Sequence, residues 1–207
     1  MFYLKERLKS ILEKEAGLEG KGNQLRINWA NIPIKELAGI IGKHLNNHGI
    51  EVVLVGGSCV SIYSNNKYVS KDLDYVTYEP IKKIKPVLES IGFNQRIGRH
   101  FEHKKCPYYL EFLSAPVAIG EQYPINKFNK IRTKMGIVQL LTPSDCVKDR
   151  LAAYFHWNDM QSLEQAVLVA GNNKINIKDI EKWSANEGNK EKFKIFYQKY
   201  RETPHLK

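Results

Sequence analysis

The chain has 207 residues, 43% of them hydrophobic, with 32 Lys and Arg against 22 Asp and Glu, a formal net charge of +10. That length supports one domain with an extension, or a core and a small second domain, and the apolar content is enough for a sizeable buried core. The charge points to polyanions such as RNA, DNA or nucleotides as partners, or serves solubility alone. Cys59, Cys106 and Cys146 show neither paired nor metal-binding spacing, which predicts reduced thiols and a cytoplasmic location. No stretch has the length of a membrane span, and the opening MFYLKERLKSILEKEAG lacks the pattern of a signal peptide.

That opening instead spaces Leu4, Leu8, Ile11 and Leu12 as an amphipathic helix ending at the joint Gly17, Gly20, Gly22. A second helix is predicted from Pro33, with Ile34, Leu37, Ile40, Ile41 and Leu45 as its apolar stripe and Gly49 closing it. His44 and His48 stand one turn apart within it but have no further ligands nearby, so they read as surface residues.

Val52-Val53-Leu54-Val55 is a short β-branched run bounded by a glycine pair, hence a buried strand. Gly56-Gly57-Ser58 breaks it. The glycines leave room beside the main chain, and Ser58 is placed to cap a helix over Cys59 to about Ser64. Unpaired amides at such a helix start suit phosphate. The next strand carries Asp72-Leu73-Asp74. Residues i and i+2 share a face, so both carboxylates point one way while Leu73 points into the core. Like charges this close call for a cation between them, and Mg²⁺ takes carboxylate oxygens while leaving positions for a substrate phosphate.

The string GGSCVSIY…YVSKDLDYV resembles the nucleotidyltransferase superfamily, the fold family of DNA polymerase beta, over about residues 50–115. It looks closest to small bacterial abortive-infection (AbiEii-like) and related uncharacterised groups. The resemblance implies an α+β core with a short mixed sheet flanked by helices. It also implies NMP transfer from an NTP such as ATP, with Gly56, Gly57 and Ser58 binding nucleotide and Asp72 and Asp74 binding two Mg²⁺, for which Mn²⁺ can substitute.

Further along, Pro80 to Ile91 reads as a helix with Val87, Leu88 and Ile91 inward, ended by Gly92. Phe93 to His103 reads as a strand pair, basic through Arg96, Arg99, His100, His103, Lys104 and Lys105. Tyr108 to Ser114 is a strong strand around one acid, Glu111, which is costly to bury unless paired or metal-bound. In the superfamily a third acid stands on a neighbouring strand, which makes Glu111 the third catalytic and metal-binding candidate. Asn126 to Lys134 is basic and reads as a loop or edge near the site. Gly136 to Leu141 is another strand, and Thr142-Pro143 opens a helix through Val147, Leu151 and Phe155. By resemblance, Lys148 and Arg150 on this helix are nucleotide-binding candidates. Helices from Asp159, from Ile175 to Trp183 and from Lys190 to Arg201 complete the chain.

The expected organisation is therefore an N-terminal helix and joint over 1–22, a nucleotidyltransferase core over 23–141 and a helical region over 142–207. The expected activity is Mg-dependent transfer to a hydroxyl acceptor. That acceptor would be RNA such as a tRNA 3′ end, in a toxin setting with an antitoxin protein as partner. The other readings are a small molecule or a protein side chain as acceptor, or a degenerate fold that binds without turnover.

Overall fold

The computed structural model describes residues 27–121 and 124–203. The amphipathic helix and glycine joint expected over 1–22 lie outside the described residues. A 3₁₀ turn at Trp29–Asn31 leads to α1 (Ile34–Asn47), then β1 (Val53–Val55), α2 (Gly56–Tyr63), β2 (Asp72–Thr77) and α3 (Ile81–Glu89). Strands β3 (Phe93–Gln95), β4 (His100–His103), β5 (Tyr109–Ser114), β6 (Phe128–Arg132) and β7 (Ile137–Leu141) follow. The rest is helical: α4 (Pro143–Trp157), α5 (Met160–Asn172), α6 (Ile177–Asn186) and α7 (Lys190–Glu202).

The strands form one seven-stranded sheet in the order β3-β4-β5-β2-β1-β7-β6. The β1–β2, β3–β4, β4–β5 and β6–β7 pairs are antiparallel, while β2–β5 and β1–β7 are parallel. Alternation along the central strands sorts their side chains. Leu54, Leu73, Tyr75, Leu110, Phe112 and Leu140 are buried, and Phe112 packs edge-on to Phe101 with ring centroids 5.6 Å apart. Asp72, Asp74, Tyr109 and Glu111 have the opposite parity and are only half-buried.

Helix starts and stops follow local chemistry. Pro33 precedes α1 rather than opening it, and Gly49, at φ +67°, turns the chain after it. Thr142 accepts from the Asp145 amide at 3.1 Å with Pro143 in the first turn of α4. Asp159 caps α5 through the Gln161 and Ser162 amides. His44 Nε2 bonds the Val87 carbonyl (2.9 Å) and Ser90 Oγ (3.0 Å), so it ties α1 to α3. In α3 it is Ile84 and Leu88 that are fully buried, with Val87 and Ile91 partly covered.

One expectation is corrected and another is resolved. The helix after β1 begins at Gly56, not Cys59, and Ser58 is not its cap. Gly56 takes φ +66°, which turns the strand into the helix with no intervening loop, and Ser58 Oγ donates back to the Val55 carbonyl at 3.0 Å. The basic segment around Asn129, expected as a loop or an edge, is the edge strand β6. Its partner β7 covers one side, while the hairpin turn behind it is held by Thr133 Oγ1, which accepts from the Met135 and Gly136 amides at 3.0 Å each.

The central strand β2 carries one misfit. Tyr75 is fully buried, stacked on Phe112, and its hydroxyl has no hydrogen-bond partner among the described residues. A buried hydroxyl without a partner costs its desolvation. Tyr75→Phe is expected to keep the fold and raise the melting temperature, by about 1 kcal/mol of stability. Thermal unfolding of the two proteins checks this, and a lower melting temperature would mean that the hydroxyl has a partner.

Candidate active site

The site is built by strand register. Asp74 lies opposite Val55, the last residue before the glycine turn, and on its other side opposite Glu111 of β5. Asp72 lies opposite Tyr109 in the same parallel pairing. Asp72, Asp74 and Glu111 therefore share one face of adjacent, interior strands, directly beneath the start of α2.

Their mutual field is visible at Asp74. Burial, then the charges of Asp72 and Glu111, raise its carboxyl from 3.8 to about 7. Arg150 opposes that rise and Asp149 adds to it. Asp72 accepts a hydrogen bond from Ser70 Oγ. Glu111 has His100 Nε2 3.4 Å from its Oε1. Tyr109, raised by burial and then by Asp72 and Asp74, completes the polar face.

The glycine turn lies against these acids. A Cβ on Gly56 would collide with the Asp74 carboxylate, and one on Gly57 would come within 2.9 Å of Ser70 Oγ. The room left by the two glycines is thus taken up by the approach of β2, and any side chain there would displace an acid or its hydrogen-bond donor. The first-turn amides of α2 have no intrahelical acceptors and bring the positive end of the helix to the acids. Ser58 is fully buried with its hydroxyl committed to Val55, so what it can offer a ligand is its backbone amide.

The two basic candidates on α4 diverge. Arg150 acts on Asp74. It is held by Asp149, whose Oδ2 accepts from Nε at 3.0 Å and Nη2 at 2.6 Å, and by Gln165 of α5 at 3.4 Å. Lys148 goes elsewhere. It is 2% exposed, 2.7 Å from Asp179 of α6 and 3.7 Å from Asp145, and so it ties α4 to the helical tail. Residues two apart on a helix lie about 200° apart around its axis, so both cannot face one cleft.

Tyr109, Ser70 and Asp149 were not singled out from sequence. Tyr109 stands two residues before Glu111, so strand alternation places it beside the acids, whereas Ser70 lies in the segment before β2 and reaches Asp72 through its hydroxyl. Asp149 carries no such signal, because its role depends on how α4 packs over the sheet.

The acids also define what cation could be held. Among the described residues, no group of three or more His, Cys, Asp and Glu is already gathered as a metal-binding cluster. Mg²⁺ needs less, since it is held by one or two carboxylates together with waters and substrate phosphates. A carboxyl whose proton is held up to about 7 by burial and then by its acidic neighbours is a group that a divalent cation would relieve, so the residues present fit Mg²⁺.

No protein-family model matches the chain, and neither does any curated protein. Solved structures do. A nucleotidyltransferase-like antigenic protein from Paracoccidioides brasiliensis aligns over 66% of this chain and 75% of its own, at 13% identity and a TM-score of 0.53. The antibiotic-resistance factor ANT(2'')-Ia aligns over 80% of this chain and 92% of its own, at 12% identity and TM-score 0.46. A tRNA-processing enzyme aligns over 83% of this chain and 58% of its own, at 18% identity and TM-score 0.38. The fold of this chain is that of nucleotidyltransferase-like proteins.

Proposed function

We propose that this protein is a Mg²⁺-dependent nucleotidyltransferase that moves an NMP from an NTP to a hydroxyl acceptor. The observation that carries the reading is the register that sets Asp74 between the glycine turn and Glu111, with Asp72 two residues before it. Asp72 and Asp74 would hold the cation, and Glu111 would complete the acidic wall where the acceptor hydroxyl arrives. Bound there, Mg²⁺ supplies charge neutralisation for the leaving pyrophosphate and lowers the pKa of the attacking hydroxyl.

The chain's own groups do the positioning. The amides of Gly57 and Ser58 offer donors to phosphate oxygens at the positive end of α2. Arg150, on the same side as the acids, offers a guanidinium whose planar donors suit phosphate. Asp149 and Gln165 hold it in one orientation, which lowers the cost of ordering it on the ligand. His100 fixes the Glu111 carboxylate from the side away from Asp74.

The direct test is to incubate the protein with each α-labelled NTP, Mg²⁺ and cellular RNA, and to look for label in RNA, protein and small molecules. Transfer to any of them in a Mg²⁺-dependent way supports the reading, and none under all conditions contradicts it.

Two variants sharpen it. Asp74→Asn should abolish transfer yet melt at an equal or higher temperature at pH 8. The sign follows from the raised carboxyl: the folded state prefers the protonated form, so ionisation costs stability. That cost is absent below the ordinary value of 3.8, grows as the pH rises, and is complete above about 7. The stabilisation by Asn should therefore shrink as pH falls, and a variant less stable than wild type at pH 8 would make Asp74 a structural residue. Glu111→Gln should keep nucleotide affinity while the single-turnover rate falls by at least about 100-fold. Wild-type turnover in this variant would remove Glu111 from the site.

A further inference from the structure

Several cations on this surface are paired with acids. Arg96 lies 2.7 Å from Glu102, Lys83 2.7 Å from Glu79, Lys194 2.8 Å from Glu191 and Lys199 2.8 Å from Glu164. The groove between α6 and α7, about 710 Å³, is mixed in sign, lined by Lys182, Lys190, Lys194 and Arg201 together with Glu181 and Glu202. One concavity differs. A groove of about 510 Å³ is lined by Lys43, Lys130, Arg132 and Lys134, with Glu51 as its single acid. Among the described residues none of these four cations makes an ion pair, and all four are exposed.

The fold fixes where this groove lies. It is bounded by Val52 at the foot of β1, Ile137 at the foot of β7 and the hairpin turn after Arg132. The strands rise about 3.3 Å per residue, so Val52 lies roughly 10 Å behind Val55 and the glycine turn. Strand β6 joins the two ends, because it pairs Phe128 with Leu141 near the glycine turn and Arg132 with Ile137 at the groove. Among the described residues no strand pairs with its other edge, since it is the last strand of the sheet. Lys130 and Arg132, two residues apart, point the same way along it, and Lys134 continues the row onto the turn. That turn is pinned to α1, since the Met135 amide donates to Glu36 Oε2 at 3.1 Å. The backbone that carries the cations is thus held in place, while their exposed side chains stay free to adjust to a ligand.

We infer that the edge strand β6 and the groove at its foot form a nucleic-acid track, in which Lys43, Lys130, Arg132 and Lys134 hold the phosphate backbone of a polynucleotide. A row of unpaired cations on a protein of net charge +10 is complementary to a regularly spaced polyanion, and binding releases the counterions that screen its phosphates. The track itself stands apart from the transfer chemistry. That it grips the acceptor, with the strand's reactive end at the acids, rests on the transferase reading. Lysines on an open sheet edge can also serve only to keep other strands from pairing there. In that case their charge would guard against aggregation and would not contribute to binding.

The test is fluorescence anisotropy of a labelled single-stranded RNA, with single-stranded DNA of the same sequence in a parallel arm. It uses the full chain without nucleotide, so a failure of transfer activity does not affect it. Replacing Lys43, Lys130, Arg132 and Lys134 together by Ser should weaken binding by about 100-fold at low salt. It should also flatten the slope of log affinity against log salt by about 3, since each lost single-strand phosphate contact removes about 0.7. Removing Lys182, Lys190, Lys194 and Arg201 in the same way deletes equal charge from the α6–α7 groove and should cost less than about 3-fold. Arginine at positions 43, 130 and 134 should retain affinity, which separates lost charge from lost fold. The inference is overturned if the wild type binds neither strand, if the track variant binds as wild type does, if both charge deletions cost the same, or if poly-glutamate competes as well as unlabelled RNA. RNA bound through the track without label transferred to any acceptor would leave the track standing and contradict the transferase reading.

Discussion

The structure depends on the placement of β2 between β1 and β5. That one strand is held antiparallel to the strand that feeds the glycine turn and parallel to the strand that carries Glu111. Its odd parity buries Leu73 and Tyr75, and its even parity presents Asp72 and Asp74. A slip of one residue would exchange the two sets, putting carboxylates into the core and Leu73 in the site. The hydrophobic contacts of Tyr75 and Phe112 therefore position the acids as firmly as any polar contact does. The cost of burying Asp74 and of holding it beside like charges, visible in its raised carboxyl, is offset by the core on the other side of the same strand.

The glycine turn serves the same constraint. At φ +66° Gly56 sends the chain from strand to helix in a single residue, and the absence of a side chain lets Asp74 lie against it. The first-turn amides of α2 and the carboxylate of Asp74 are brought together by one close approach. A side chain at Gly56 would strain the turn and push Asp74 at once.

How much of this the sequence revealed follows the range of the interactions. The strands, the facing of Asp72 and Asp74 away from Leu73, and the cap at Thr142 were legible because each depends on residues one to four positions apart. The start of α2 was misread because Ser58 is a good cap residue, while the actual entry is set by the backbone of Gly56. The segment around Asn129 was read as a loop or edge because its charges hide the alternation, and only pairing with β7 makes it a strand. The fates of Lys148 and Arg150 could not be separated along the sequence. They differ because Asp179 arrives from α6, some thirty residues later, to take Lys148. Long-range pairing sets the meeting of Glu111 with Asp74, to which the cost of a lone acid in an apolar strand and the resemblance to nucleotidyltransferases were the pointers.

Convergence of the acids is the claim on which the rest stands, and carboxyl carbon NMR tests it most directly. In the metal-free protein the Asp74 side chain should titrate near 7, and its midpoint should drop in both Asp72→Asn and Glu111→Gln. Titration of Asp74 in the ordinary carboxylate range, with no response to either neighbour, would contradict the account.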